Sequence, residues 1–217
     1  MKDYSVILFD LDGTLTDPEG GLVRGFEYAL CKMGLPKEEK AALRRFIGPP
    51  LLDEWQKEYS LTKAETETMI RYFREYYDIY GWWDNVPYAG IKEELTKLRL
   101  AGKRLMVATS KPERTAMKVL SLFGLTESFD FIGGAASEKD RYTKDQVLEY
   151  VLKENSVDRE RAILVGDRKY DAEGAALCGI DSLGVLWGHG SAEEINASGF
   201  TATVNSVADI SLFFGVC

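Results

Sequence analysis

Apolar and polar positions alternate along this chain in two rhythms. Val6 to Phe9 is a short unbroken apolar run, the pattern of a strand covered on both faces, and Leu105 to Ser110, Ala162 to Val165 and Ser182 to Leu186 read as further strands. Phe129 to Ile132 and Ala202 to Val204 read as two shorter strands. Between them, apolar residues recur every three or four positions. Ile91, Leu95 and Leu98 line one helix that ends near Gly102, and Met117, Leu120 and Phe123 line another that stops at Gly124. Thr143-Lys-Asp-Gln146 is a capping box opening a helix with Val147, Tyr150 and Val151 on one face. Ser110-Lys-Pro-Glu113 reads as a further helix start, with Ser110 as cap and Pro112 in the first turn. Ala172 to Cys178, rich in small residues, is a helix stopped by Gly179. Strands alternating with helices predict a parallel α/β sheet, Rossmann-like, with helices on both faces.

Residues 17–86 break that rhythm. Leu22, Phe26, Ala29, Leu30 and Met33 stand at helical spacing before a stop at Gly34. Lys37 to Ile47 reads as a second helix, closed by Gly48-Pro49-Pro50. A third carries Leu51, Leu52, Trp55 and Tyr59, and Leu61-Thr62 opens a fourth bearing Met69, Tyr72, Phe73 and Tyr76. The expected organisation is a core of residues 1–16 and 87–217 with an all-helical insertion, 17–86, between its first two strands.

With 217 residues, 45% of them apolar, the chain can bury a full core around such an insertion. A net charge of −8 argues against nucleic acid or an anionic membrane as a partner. It also makes the insertion's aromatics core residues of a bundle in preference to a base-stacking platform. Cys31, Cys178 and Cys217 are an odd number without close pairing, and no leader or membrane-spanning run is read, so a reducing cytoplasm is expected. The single histidine, His189, sits between glycines as a loop residue. That argues against zinc sites rich in histidine and against a Ser/His/Asp triad, leaving carboxylates to run any chemistry. Oligomeric state is not legible.

In parallel sheets ligands bind beyond the carboxyl ends of the strands. The first strand runs into Asp10-Leu-Asp-Gly13. Side chains two apart on extended backbone point the same way, so Asp10 and Asp12 face one spot, and Gly13 permits a sharp turn that brings amides close. Alone, this is more often a solvated turn than a site. The second strand ends in Thr109-Ser110, the fourth in Gly166-Asp-Arg-Lys-Tyr-Asp171, and Lys144 stands in a helix first turn, where the macrodipole disfavours a cation. Each has a plain reading: a loop hydroxyl, acids at a helix start, a surface lysine. Cys178 reads as a small core residue.

In that order, Asp-x-Asp-Gly-Thr, Thr-Ser, a helix-start lysine and Gly-Asp-x-x-x-Asp resemble the haloacid dehalogenase-like hydrolase superfamily, in its phosphatase branch, over nearly the whole chain. Asp17-Pro-Glu-Gly-Gly, Phe46-Ile-Gly-Pro-Pro-Leu51, Ala108-Thr-Ser-Lys-Pro112 and Gly166 to Asp171 look like its group of phosphoglycolate phosphatases and 5′-nucleotidases. The insertion then looks like that family's first-type cap. The resemblance implies Asp10 as nucleophile and Asp12 as general acid and base. It implies Thr109, Ser110, Lys144 and Gly13 around the phosphoryl group. It also implies Mg²⁺ on Asp10, the Asp12 backbone carbonyl, Asp167 and Asp171. Arg24, Gly48 and Pro49 are the expected cap contacts to a small phosphorylated metabolite. A phosphosugar mutase of the same fold is the nearer alternative, although Thr14 stands where such relatives commonly carry valine. A phosphorylated regulatory module is the remote one, since it lacks a cap.

Overall fold

The computed structural model describes residues 2–136 and 141–216; Cys217 lies outside them. In chain order, β1 (Val6–Phe9) and β2 (Thr16–Asp17) precede four helices, α1 (Glu19–Met33), α2 (Lys40–Leu43), α3 (Leu51–Glu58) and α4 (Lys63–Tyr76). After β3 (Val86–Pro87) helices and strands alternate as α5 (Ile91–Leu100), β4 (Arg104–Pro112), α6 (Glu113–Leu122), β5 (Phe131–Ala135), α7 (Lys144–Glu154) and β6 (Ala162–Gly166). The chain continues with α8 (Lys169–Leu177), β7 (Asp181–Val185), α9 (Ala192–Ala197), β8 (Ala202–Val204) and α10 (Asp209–Phe213). Two compact units result, Met1–Asp17 with Pro87–Cys217, and Pro18–Val86.

The larger unit holds a six-stranded sheet in the order β5-β4-β1-β6-β7-β8, parallel throughout. β1 lies inside it, pairing Val6 with Arg104 on one side and with Ala162 on the other. Val6, Leu8, Met106, Ala108, Ala162 and Leu164 share one face and pack against Val147, Val151 and Ala175 of α7 and α8. The alternate residues Ile7, Phe9, Leu105, Val107, Ile163 and Val165 are fully buried too. Both faces are therefore covered, which is why these strands read as continuous apolar runs rather than as alternating ones.

The smaller unit is all helix apart from its connections. Phe26 sits at its centre, with ring centroids 5.7 Å from Trp55, 5.3 Å from Phe73 and 6.0 Å from Phe46. α1 ends at Gly34, whose φ of 68° needs a residue without Cβ strain. Thr62 caps α4 with Glu65 in a reciprocal box.

Four expectations are corrected. The helix expected over Lys37 to Ile47 is only Lys40–Leu43 followed by a 3₁₀ turn, Arg44–Phe46. A four-residue helix is weak by itself, and the tighter turn lets Leu43, Phe46 and Ile47 all reach the core. The capping pattern at Ser110 starts no helix. β4 runs on to Pro112, which pairs with Ala135, and α6 begins at Glu113. A residue before proline is driven to extended backbone, so Lys111 could not open a helix. The third core strand lies at Phe131–Ala135 rather than Phe129 to Ile132. Gly133 and Gly134 belong to it because a Cβ there would strike Val151 and the backbone of Glu113. On α6, Met117 is exposed, and Ala116, Val119 and Leu120 make the buried face.

Leu164 is fully buried beneath α7 and α8. Leu164→Ala is expected to cost about 2–5 kcal/mol, read as a lowered urea midpoint at unchanged slope.

Candidate active site

The sheet's strand order reverses between β1 and β6, so the chain leaves their carboxyl ends in opposite directions and opens a crevice there. The acidic residues gather at that point. Asp10 follows β1 directly, its N–H donating to Val165 O at 2.9 Å, while Leu11 turns into the core. Asp167 follows β6, and Asp171 stands on the first turn of α8.

Asp10, Asp167 and Asp171 are buried, and each offers a carboxylate oxygen within 4.8 Å of the others. Lys144, the first residue of α7, inserts its ammonium among them, 2.9 Å from Asp10 Oδ2 and 2.8 Å from Asp171 Oδ1, and donates to Ala108 O at 3.1 Å. Its stem passes where a Cβ on Gly174 would stand. Burial works against the lysine's charge, but Asp10 and Asp171 outweigh it and hold its pKa above the ordinary value. The two carboxylates thus offset the unfavourable helix dipole. Asp167 is less well served. Thr14 Oγ1 donates to it at 3.2 Å and the His189 N–H at 2.8 Å. Burial, with Asp171 and Asp10 adding to it, still pushes its pKa up to about 7. Asp171 is raised as well, by burial first and by Asp10, against the pull of Lys144.

With all three carboxylates ionised, the one ammonium leaves an excess of two negative charges. An all-oxygen donor set with that excess fits a hard divalent cation such as Mg²⁺ better than zinc. Glycines at 13, 188 and 190 let two backbone segments close around Asp167, since a Cβ at any of them would strike it. Gly13 also has a φ of 81°, and its N–H is taken by Thr16 O at 2.8 Å, so it shapes a turn instead of presenting a free amide.

A family model described as haloacid dehalogenase-like hydrolase matches residues 7–185. The chain belongs to this family. It is 39% identical over 201 residues to the tyrosine-protein kinase PtkA of Mycobacterium tuberculosis, covering 93% of this chain and 68% of that protein. It is 36% identical over 194 residues to a 5′-nucleotidase of Pseudomonas aeruginosa, covering 89% and 88%. The crystal structure of a predicted phosphatase from Clostridium acetobutylicum superimposes with a TM-score of 0.94 at 36% identity, over 97% of this chain and 98% of that one. Family and neighbours together make this haloacid dehalogenase-like protein an enzyme of the phosphatase kind.

The remaining expected residues of this hydrolase fall in three places. Asp12 faces Lys111, not the carboxylate cluster, with Nζ 2.9 and 2.7 Å from its two oxygens. Thr109 is buried at the end of β4 and its Oγ1 accepts the Lys111 N–H at 3.2 Å, while Ser110 lies half-buried beside it. Arg24, Gly48 and Pro49 belong to the helical unit, where Arg24 pairs with Asp84. Cys178 is buried in the core cluster, its thiol pushed up to about 11 chiefly by burial. Lys111 and His189 were given no part by the sequence. The lysine's motif was visible but its aim was not, and His189 acts on Asp167 through a backbone N–H that no side-chain pattern reveals. No helix among the described residues is long and apolar enough to cross a membrane.

A carboxylate whose folded pKa lies above its ordinary 3.8 holds its proton more tightly folded than unfolded. Folding therefore weakens as pH rises from about 4 towards 7. In EDTA at pH 8, Asp167→Asn is expected to melt several degrees higher than wild type, at roughly 2–4 °C per kcal/mol for a chain of this size. The gap should close as the pH is lowered towards 4, which thermal scans in paired buffers would read.

Proposed function

We propose that this protein is a Mg²⁺-dependent phosphomonoester hydrolase that works through an aspartyl-phosphate. The carrying observation is the buried group of Asp10, Asp167 and Asp171 around Lys144 at the sheet's reversal point. Asp10 attacks phosphorus in line, forming the acyl phosphate as the ester oxygen departs. Asp12 gives that oxygen a proton, then takes one from the water that hydrolyses the intermediate. Thr109 and Lys144 hold the phosphoryl oxygens as charge builds on them, an effect for which losing one donor costs about a hundredfold or more. Ser110 is assigned to the same cradle.

The ion would be held by Asp10, the Asp12 carbonyl, Asp167 and Asp171. When bound it offsets the repulsion between an anionic nucleophile and an anionic ester. Residues 17–86 are proposed as a cap that selects the ester, with Arg24 and the Gly48-Pro49 turn as its contacts. Phosphoglycolate and nucleoside 5′-monophosphates are the proposed substrates, on the strength of the motifs shared with those phosphatases.

The test is phosphate release across a panel of metabolite monoesters, ranked by kcat/KM. Release is expected with Mg²⁺ and not with EDTA, and Asp10→Asn should abolish it; turnover retained in that variant rejects the nucleophile. Two controls separate other phosphoryl acceptors. A hexose 1-phosphate with its bisphosphate would isomerise without phosphate release in a mutase. Because one relative is named a tyrosine-protein kinase, ATP with a tyrosine peptide tests whether a phenol replaces water.

A further inference from the structure

Lys111 is buried at an irregularity in β4. Between Thr109 and Pro112 the register of β4 against β5 slips, so Ser110 and Lys111 bulge from the ladder. Bulges beside active sites redirect side chains. This one is built in from the other strand. A Cβ on Gly134 would stand 2.7 Å from Lys111 O and 2.8 Å from Glu113 N, so only glycine lets β5 lie against the bulge. Glu113 then accepts the Gly134 N–H at 3.2 Å and the Arg141 guanidinium at 2.8 Å, closing the far side.

The bulge gives Lys111 two holds on the site. Its N–H occupies a lone pair of Thr109 Oγ1 at 3.2 Å, leaving that hydroxyl's proton to be donated elsewhere. Its ammonium grips both oxygens of Asp12, with the lysine side chain 4% and the aspartate side chain 15% exposed. A buried ion pair recovers little of its desolvation cost as stability. What it does supply is direction: a carboxylate held at two oxygens cannot rotate.

We propose that Lys111 is a positioning residue for phosphoryl transfer, acting through Asp12 by fixing the orientation of its carboxyl group, which carries its proton when it meets the leaving oxygen and is left as the carboxylate paired with Lys111 once that proton is given. The inference rests on the phosphatase reading above and adds to it a residue to which that reading gave no task. Its consequence is selective. An alkyl ester needs its departing oxygen protonated, whereas a nitrophenolate leaves without a proton. Misaiming Asp12 therefore penalises the first ester and spares the second.

The experiment compares kcat/KM for an alkyl monoester and for 4-nitrophenyl phosphate in wild type, Lys111→Met and Lys111→Arg, with Asp12→Asn as a second background. Lys111→Met is expected to lose roughly 10- to 100-fold on the alkyl ester, the scale of general acid catalysis, and less than about threefold on the aryl ester. Lys111→Arg should recover most of the loss. In the Asp12→Asn background, Lys111→Met should cost nothing further, as coupled residues do. Equal losses on both esters, or a loss undiminished in Asp12→Asn, overturn the proposal. So does a crystal structure of Lys111→Met with the Asp12 carboxylate unmoved, a readout that needs no turnover. Wild type inert towards both esters in Mg²⁺ would instead reject the phosphatase reading itself.

Discussion

Repulsion among buried like charges is the constraint on which this molecule turns. Three carboxylates lie out of water at the carboxyl ends of β1 and β6, with a single ammonium to balance them. No arrangement chosen for stability alone would collect them there, because an unpaired buried charge is among the costliest things a fold can carry. The scaffold tolerates the cluster because its other parts are conventional. The sheet is apolar on both faces, and the backbone supplies Asp10 and Asp167 with amide donors from Leu11 and His189. Excess negative charge in a dry place is what a divalent cation seeks.

The site is also discontinuous in the chain. Asp10, Lys144, Asp167 and the amide of His189 come from four separate stretches of the chain, and the parallel sheet brings them together by placing successive strand ends along one edge. A reversed strand order at β1 and β6 supplies the opening. Small residues supply the closeness: Gly13, Gly188 and Gly190 around Asp167, Gly174 beneath the stem of Lys144, Gly134 behind the bulge.

What the sequence revealed and what it hid divide along the range of the interactions. Runs such as Val6 to Phe9 and Ala162 to Val165 announced their strands because burial on both faces leaves a signature in consecutive residues. Lys144 stood out because a cation at a helix start conflicts with a local rule, and such conflicts tend to mark function. Ser110-Lys-Pro-Glu113 misled for the converse reason. Its composition satisfied a local capping pattern, while pairing to β5 and the restriction before Pro112 carried the strand onward. Lys111 was hidden for the same cause, since the bulge that aims it depends on a glycine more than twenty positions away. The short helices α9 and α10 left too few periodic positions to be seen, and the break after Leu43 was decided by the aromatic core around Phe26, which no local window contains.

The central position of β1 also shapes how the chain is made. Val6 to Phe9 emerges first, yet its two partners begin at Arg104 and Ala162. At 5–20 residues per second, roughly a hundred residues of synthesis separate the strand from its first neighbour, an interval on the order of 5–20 seconds. Throughout that time a wholly apolar ribbon has both edges bare, while the helical insertion can already complete its own core. One of the two middle strands of the finished sheet is therefore a segment that must wait, with its edges unpaired, for partners made much later.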